Sequence, residues 1–258
     1  MRLTFLGTGT SFGVPQIGCG CAVCHSADPR DRRTRVGALV ETDAGRRILL
    51  DTPPELRLQL VAAGVDGVDA VLFTHDHADH VHGIDDVRAF TARSHEALVM
   101  YGSAPVVGAL SAKFPYIFDD RIRPLPGTSK PEGRLQALAE REPVEIAGER
   151  VTPVRVPHGH AEVFAYRIGP LAYVTDAKTL PDEAVAVLRG ARTLVLNALF
   201  PTPHPTHLSI PEAVAAAERV GAGMTYLTHL THRTSHAELE AMLPPHVRPA
   251  YDGLVVQV

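Results

Sequence analysis

The sequence predicts an α/β protein, and three observations carry that reading. Short apolar runs such as Ala70-Val71-Leu72-Phe73 alternate with helical patterns, prolines and glycines end many of the runs, and residues able to bind metal stand just past them. A short apolar run bounded by polar residues reads as a buried strand. Sheets of α/β proteins gather their ligands at the carboxyl ends of such strands.

Leu3 to Leu6 is the first strand, and it runs into Gly7-Thr8-Gly9-Thr10-Ser11-Phe12-Gly13-Val14-Pro15. Glycine at this density permits tight turns. A phosphate loop would need a following Lys-Ser/Thr and an opening helix, so a structural turn is expected. Next comes Cys19-Gly20-Cys21-Ala22-Val23-Cys24-His25. Three thiols so spaced can converge on one ion, and tetrahedral zinc then needs one more ligand. His25 is cramped beside Cys24, which makes a distant histidine the better fourth. The run Arg30 to Arg35 reads as a solvated loop.

Val36 to Thr42 and Arg46 to Leu50 are strands around Asp43-Ala44-Gly45, stopped by Asp51-Thr52-Pro53-Pro54. Asp51 precedes a helical pattern over Glu55 to Ala63, so it could cap that helix or orient a metal ligand. Position alone does not separate the two. The strand ending at Phe73 leads into His75-Asp76-His77-Ala78-Asp79-His80, three imidazoles and two carboxylates in six residues. Such ligands suit zinc, manganese or iron. A helix over Val81 to His95, a strand over Val99 to Tyr101 and a helix over Pro105 to Lys113 follow. Pro124 to Gly133 reads as an irregular insertion on the rim of the site, and Leu135 to Glu142 as a short exposed helix.

The second half repeats the logic. Val151 to Val156 is a strand ending at Pro157-His158-Gly159-His160, and Phe164 to Ile168 with Leu171 to Val174 form a hairpin-like pair ending at Thr175-Asp176. After a helix over Asp182 to Leu188, the strand Thr193 to Leu196 ends at Asn197. Pro211 to Val220 is a helix with proline in its first turn. Thr225 to Thr228 ends at His229, Glu238 to Met242 is a last helix, and Gly253 to Val258 closes the chain. Asp51, His75, His158, Asp176, Asn197 and His229 thus each follow a strand, which places them on one rigid scaffold.

Composition sets the outer limits. A chain of 258 residues with 45 % hydrophobic content can build one large core. The formal charge of −4 suggests no nucleic-acid or membrane-binding surface, though a bound metal could still attract a phosphorylated substrate. No secretory signal or long apolar span is present, so a cytoplasmic location is expected. Three clustered cysteines then argue metal rather than disulfide.

The run His75-x-His77-x-Asp79-His80, with Asp51 before it and His158, Asp176 and His229 after it, resembles the metallo-β-lactamase superfamily. The glycine-rich amino terminus and Gly18-Cys19-x-Cys21-x-x-Cys24 resemble the subgroup containing phosphoribosyl 1,2-cyclic phosphate phosphodiesterase. The resemblance runs from Leu3 to Asp252 and implies a single domain over 1–258. Its architecture would be an αββα sandwich of two mixed sheets, with pseudo-symmetric halves of about 1–140 and 145–258.

The resemblance also implies a dinuclear centre of two divalent ions, zinc or manganese. His75, His77 and His158 would hold one ion and Asp79, His80 and His229 the other, with Asp176 shared. Asp51 would act from outside the ligand set, His207 would be the general acid, and Asp79 and Asp51 would join it as catalytic residues. Cys19, Cys21, Cys24 and His232 would bind a structural zinc. His160 competes with His158, His204 competes with His207, and Lys178 could contact a phosphate or cap a helix. Asn197 stands where the subgroup carries aspartate. The implied activity is metal-dependent hydrolysis, by a metal-activated hydroxide, of a small phosphodiester, cyclic in the best case. A thioester or lactam hydrolase and a transfer-RNA-processing nuclease are the alternatives, and a homodimer stays open.

Overall fold

A computed structural model describes residues 1–258. Fourteen strands form two seven-stranded sheets. The first contains β1 (Arg2–Gly7), β2 (Gly37–Glu41), β3 (Arg47–Leu50), β4 (Ala70–Leu72), β5 (Leu98–Gly102), β6 (Gly133–Ala137) and β14 (Val255–Gln257), in the order β14-β1-β2-β3-β4-β5-β6. The second contains β7 (Val144–Ile146), β8 (Glu149–His158), β9 (Ala161–Ile168), β10 (Leu171–Val174), β11 (Thr193–Asn197), β12 (Met224–Thr228) and β13 (Val247–Pro249), in the order β13-β12-β11-β10-β9-β8-β7. The helices are α1 (Leu56–Ala62), α2 (Ala78–Val81), α3 (Arg88–Ser94), α4 (Ala104–Lys113), α5 (Pro115–Phe118), α6 (Asp182–Leu188), α7 (Ile210–Val220) and α8 (His236–Met242).

Alternation builds the sandwich, because successive side chains of a strand face opposite sides of its sheet. Leu3, Phe5, Val40, Ile48, Leu50 and Leu72 point inward and meet Phe164, Tyr166, Leu171, Tyr173 and Val195 of the other sheet. Their neighbours Leu39, Leu49 and Val71 point outward against Leu56, Leu60 and Ile84. Val174, Leu194 and Leu196 pack outward with Leu188 of α6 and Ala213 and Ala217 of α7. Burying a residue of this size contributes roughly 1.5–3 kcal/mol.

The pairings give the strands their directions. β1, β3, β4, β5 and β6 run one way in the first sheet, with β2 and β14 reversed. β8, β10, β11, β12 and β13 share a direction in the second, with β7 and β9 reversed. Asp51, His75, His158, Asp176 and His229 all stand at carboxyl ends of these co-directional strands, on one edge. At the other edge the amide of Val258 donates to the carbonyl of Met1 at 3.0 Å.

Several local expectations need correction. The helix expected over Val81 to His95 is interrupted, because Gly83 packs so closely on Pro53 that a Cβ would lie 2.0 Å from its carbonyl oxygen. The helix expected over Leu135 to Glu142 is absent: Leu135 to Ala137 end the parallel edge strand β6, and irregular chain follows. The end of the Pro124 to Gly133 stretch lies away from the site. A parallel β5–β6 connection must return to the opposite edge, and there the Glu132 amide meets Thr91 Oγ1 at 3.3 Å while Arg88 donates to the Ser129 carbonyl at 3.2 Å. Arg33 is fully buried rather than solvated. The three-residue strands β7 and β13 were not expected from the sequence. No helix is long and apolar enough to cross a membrane. A cleft of about 890 Å³ opens near Arg46, Asp69 and Phe90 on the edge away from the histidines.

Candidate metal centre

The loops at the shared edge bring their histidines and carboxylates to one point. Ligand atoms of His75, His77, His158 and Asp176 lie within 4.8 Å of one another, as do those of Asp79, His80 and His229 and those of Asp176, His207 and His229. Asp176 is the hub. Its Oδ2 lies 3.6 Å from His75 Nε2, 3.5 Å from His80 Nε2, 3.9 Å from His158 Nε2 and 3.4 Å from His207 Nε2. Its Oδ1 lies 3.4 Å from His229 Nε2.

The local backbone makes this convergence possible. Asp51, Asp176 and His229 have φ of 62°, 59° and 57°, the left-handed region that most side chains avoid. The turn at each strand end throws the side chain across the gap between the sheets. The single turn α2 does the rest in the first half, with Asp79 and His80 on it and His77 as its amino-terminal cap.

Each of several rings is fixed from behind. His80 Nδ1 lies 2.8 Å from Asp51 Oδ2, and the Thr74 amide and hydroxyl both donate to Asp51 at 2.8 Å. The Thr74 hydroxyl proton is committed to Asp51, so its oxygen accepts from His75 Nδ1 at 3.0 Å. His158 Nδ1 donates to the Thr206 carbonyl at 3.0 Å. These bonds leave the Nε2 atoms facing Asp176. Asp51 therefore caps no helix, since α1 begins at Leu56 with Glu55 in the cap position and no side-chain cap bond.

Electrostatics agree with a ligand role. Burial pushes the His75 imidazole well below its usual range. Burial would raise the Asp176 carboxyl, but the His229 and His80 imidazoles outweigh it and hold the group well below the usual carboxylate range. For His75 and Asp176 this is a neutral imidazole beside an ionised carboxylate, the state in which both can coordinate. His80 differs, because burial would lower its imidazole but Asp176 and Asp51 hold it well above the usual range. The Nε2 atoms of His75, His80, His207 and His229 are buried without a hydrogen-bond partner. Separations of 3.4–3.6 Å from Asp176 to His75, His80 and His229 are long for hydrogen bonds. They suit donors sharing ions, since ligands about 2.1 Å from a tetrahedral metal lie about 3.4 Å apart. The donor set fits divalent metal.

The remaining sequence candidates occupy distinct positions. His158 is buried in the cluster and His160 is exposed. His207 reaches Asp176, while His204 stands behind it with ring centroids 5.4 Å apart. Lys178 bonds Glu212 Oε1 at 2.8 Å in the first turn of α7. Asn197 is fully buried, accepting from the Ala177 amide at 2.8 Å and donating to its carbonyl at 3.0 Å, and so holds the turn that carries Asp176. Asp76 pairs with Lys113 of α4 at 2.6 Å.

The threonines were missed. Thr74, Thr175, Thr206 and Thr228 immediately precede His75, Asp176, His207 and His229. That repeated Thr-ligand dipeptide is the signal that could have found them.

A second group of donors lies in the loop after β1. Sγ of Cys19, Cys21 and Cys24 are 3.2, 3.4 and 3.6 Å from His232 Nδ1. Zinc–sulfur and zinc–nitrogen bonds of ordinary length in a tetrahedron separate such atoms by about 3.6 Å, so these four residues fit zinc. His25 is exposed and outside the group. Buried Arg33 ties the loop down, donating to the carbonyls of Thr231 and Thr234 on either side of His232 and pairing with Asp31 at 3.2 Å.

Comparison with known proteins agrees with this architecture. The beta-lactamase superfamily domain matches residues 46–230. An octanoyltransferase of Porphyromonas gingivalis (strain ATCC BAA-308 / W83) is 41 % identical over 256 residues, 98 % of this chain and 51 % of the relative. The chain thus spans about half the length of that relative. The crystal structure of a new diphosphatase from the PhnP family is 39 % identical, with a TM-score of 0.90, covering 100 % of this chain and 97 % of the other. Zinc-bound PqqB from Methylobacterium extorquens shares the fold at 21 % identity and a TM-score of 0.80, with both chains covered completely.

Proposed function

The chain belongs to the beta-lactamase superfamily, a fold of metal-dependent hydrolases, and on that premise we propose that it is a metal-dependent phosphodiesterase acting on a small phosphorylated substrate. The observation that carries the reading is Asp176 ringed by unpartnered Nε2 atoms, in a chain 39 % identical along its length to a diphosphatase. His75, His77 and His158 would hold one divalent ion and Asp79, His80 and His229 the other, with Asp176 between them. Such ions would lower the pKa of a bound water towards ~7 and neutralise charge on phosphoryl oxygens. Cys19, Cys21, Cys24 and His232 would hold a structural zinc.

The side chains supply orientation and a proton. Asp51 and Thr74 hold His80 and His75 in the tautomers that turn Nε2 inward. His207 Nε2 faces the same point from the opposite wall and would protonate the leaving oxygen, a contribution of about 10²–10⁴ in rate. His207→Ala should retain its metals and lose activity by about that factor on alkyl diesters, whose leaving groups need the proton. Unchanged turnover of an alkyl diester would remove His207 from the mechanism.

The decisive assay compares bis-p-nitrophenyl phosphate, an alkyl phosphodiester, a thioester and a lactam on zinc- and manganese-loaded protein. Turnover of the phosphodiesters is expected to dominate. A thioester preference would replace the proposal with the second reading, thioester hydrolysis, which the relative named for octanoyl transfer favours. The acidic net charge argues against a nuclease.

A further inference from the structure

Thr206 touches three histidines. Its carbonyl accepts from His158 Nδ1 at 3.0 Å, and its hydroxyl lies 2.8 Å from His207 Nδ1 and 3.2 Å from His204 Nδ1. Its amide also donates to His204 Nδ1, at 3.4 Å. That last bond sets the directions of the others. A nitrogen accepting from an amide carries no proton, so the Thr206 hydroxyl donates to His204. The hydroxyl oxygen is then left to accept from His207 Nδ1–H. The rotamer is confined as well, because Thr206 Cγ2 sits over Gly159 at the tip of the β8–β9 hairpin, where a Cβ would lie only 2.8 Å away.

From this chain of bonds, His207 Nδ1–H to Thr206 Oγ1–H to His204 Nδ1, we infer that Thr206 and His204 are positioning residues for His207. They fix the ring with Nδ1 protonated and Nε2 turned to the reacting centre. Nδ1 is already spoken for, so the proton the ring gives up is the one on Nε2. It passes to the leaving oxygen, the bond from that oxygen to phosphorus breaks, and a neutral Nδ1–H ring stays docked on Thr206. His229, stacked on His207 at 4.8 Å and 22°, limits tilting from the other side. The inference rests on His207 being the general acid, as proposed above.

Thr206→Val keeps the branched shape and the carbonyl that holds His158, and removes only the hydroxyl; Thr206→Ser restores it. Turnover of an alkyl phosphodiester should fall about tenfold in Thr206→Val, the effect of one lost hydrogen bond. The fall should be in kcat rather than KM, with a far smaller loss on bis-p-nitrophenyl phosphate and near-complete recovery in Thr206→Ser. Metal content should match wild type. In long-range proton–nitrogen spectra of ¹⁵N-histidine protein, the His207 ring should show a single Nδ1–H tautomer in wild type and Thr206→Ser, and a mixture in Thr206→Val.

If His207→Ala loses alkyl-diester turnover while Thr206→Val keeps both the rate and the fixed tautomer, the positioning role is wrong and the general acid stands. If His207→Ala changes nothing, the general-acid reading itself fails. A drop in metal content in Thr206→Val would overturn the inference by assigning the hydroxyl to the His158 loop instead.

Discussion

The histidine centre and the cysteine group both gather donors from distant parts of the chain, but they are built differently. The histidine centre stands on strand ends, is largely buried, and has most of its rings fixed from behind by Asp51, Thr74 or Thr206. The cysteine group stands on a loop, with Cys19, Cys21 and His232 partly exposed, and its turn is braced by Arg33 and Asp31. In the first, the fold positions the donors before any ion arrives. In the second, an ion would join the loop after β1 to the loop after β12. A centre of the first kind should therefore govern activity, and one of the second kind stability.

The largest expected effect that separates the two is Cys21→Ser. It should remove one zinc per chain and lower stability on the order of 4 kcal/mol, a shift in Tm of about 10 °C, with the histidine-bound metals retained. Metal analysis and calorimetry read this directly, and an unchanged zinc count would erase the distinction between the centres. Asp51→Asn comes next, because both carboxylate oxygens accept from Thr74 and His80 and an amide can accept on one side only. Metal affinity at the Asp79–His80–His229 position should fall about 10–100-fold, with little change in the Cys19–His232 zinc. Competition with a chromogenic chelator would detect it, and equal affinities would reduce Asp51 to a fold-stabilising group.

The smallest effect concerns the backbone. Asp176→Gly and Asp176→Ala both delete the shared carboxylate, but alanine inherits the left-handed φ of 59° and glycine does not suffer from it. Metal-free Asp176→Gly should be more stable than metal-free Asp176→Ala by about 1 kcal/mol. Equal melting curves would mean that the turn relaxes when its side chain is removed.

Much of this was legible because ligand chemistry is local. His75 to His80 declares itself within six residues, and the sheet logic that places Asp51, His158, Asp176 and His229 needs only strand ends. The family resemblance supplied the pairing of halves and the partnership of Cys19, Cys21 and Cys24 with His232. Three-dimensional closeness without a chemical signature was hidden. Arg33 looked like part of a basic loop, yet it is buried on two carbonyls. Gly83 broke a helix through contact with Pro53, thirty residues earlier. β6 carries too few buried side chains to show a strand pattern. Thr206 reveals its role only when three rings surround it.

The direction of the strands has a consequence for how the chain can be joined to others. β1 starts, and the antiparallel β14 finishes, at the edge of the sandwich remote from the histidines, with Met1 and Val258 hydrogen-bonded to each other. Polypeptide appended at either end would leave the molecule on the side away from the histidines. Adjacent termini also make the unit easy to insert within another protein.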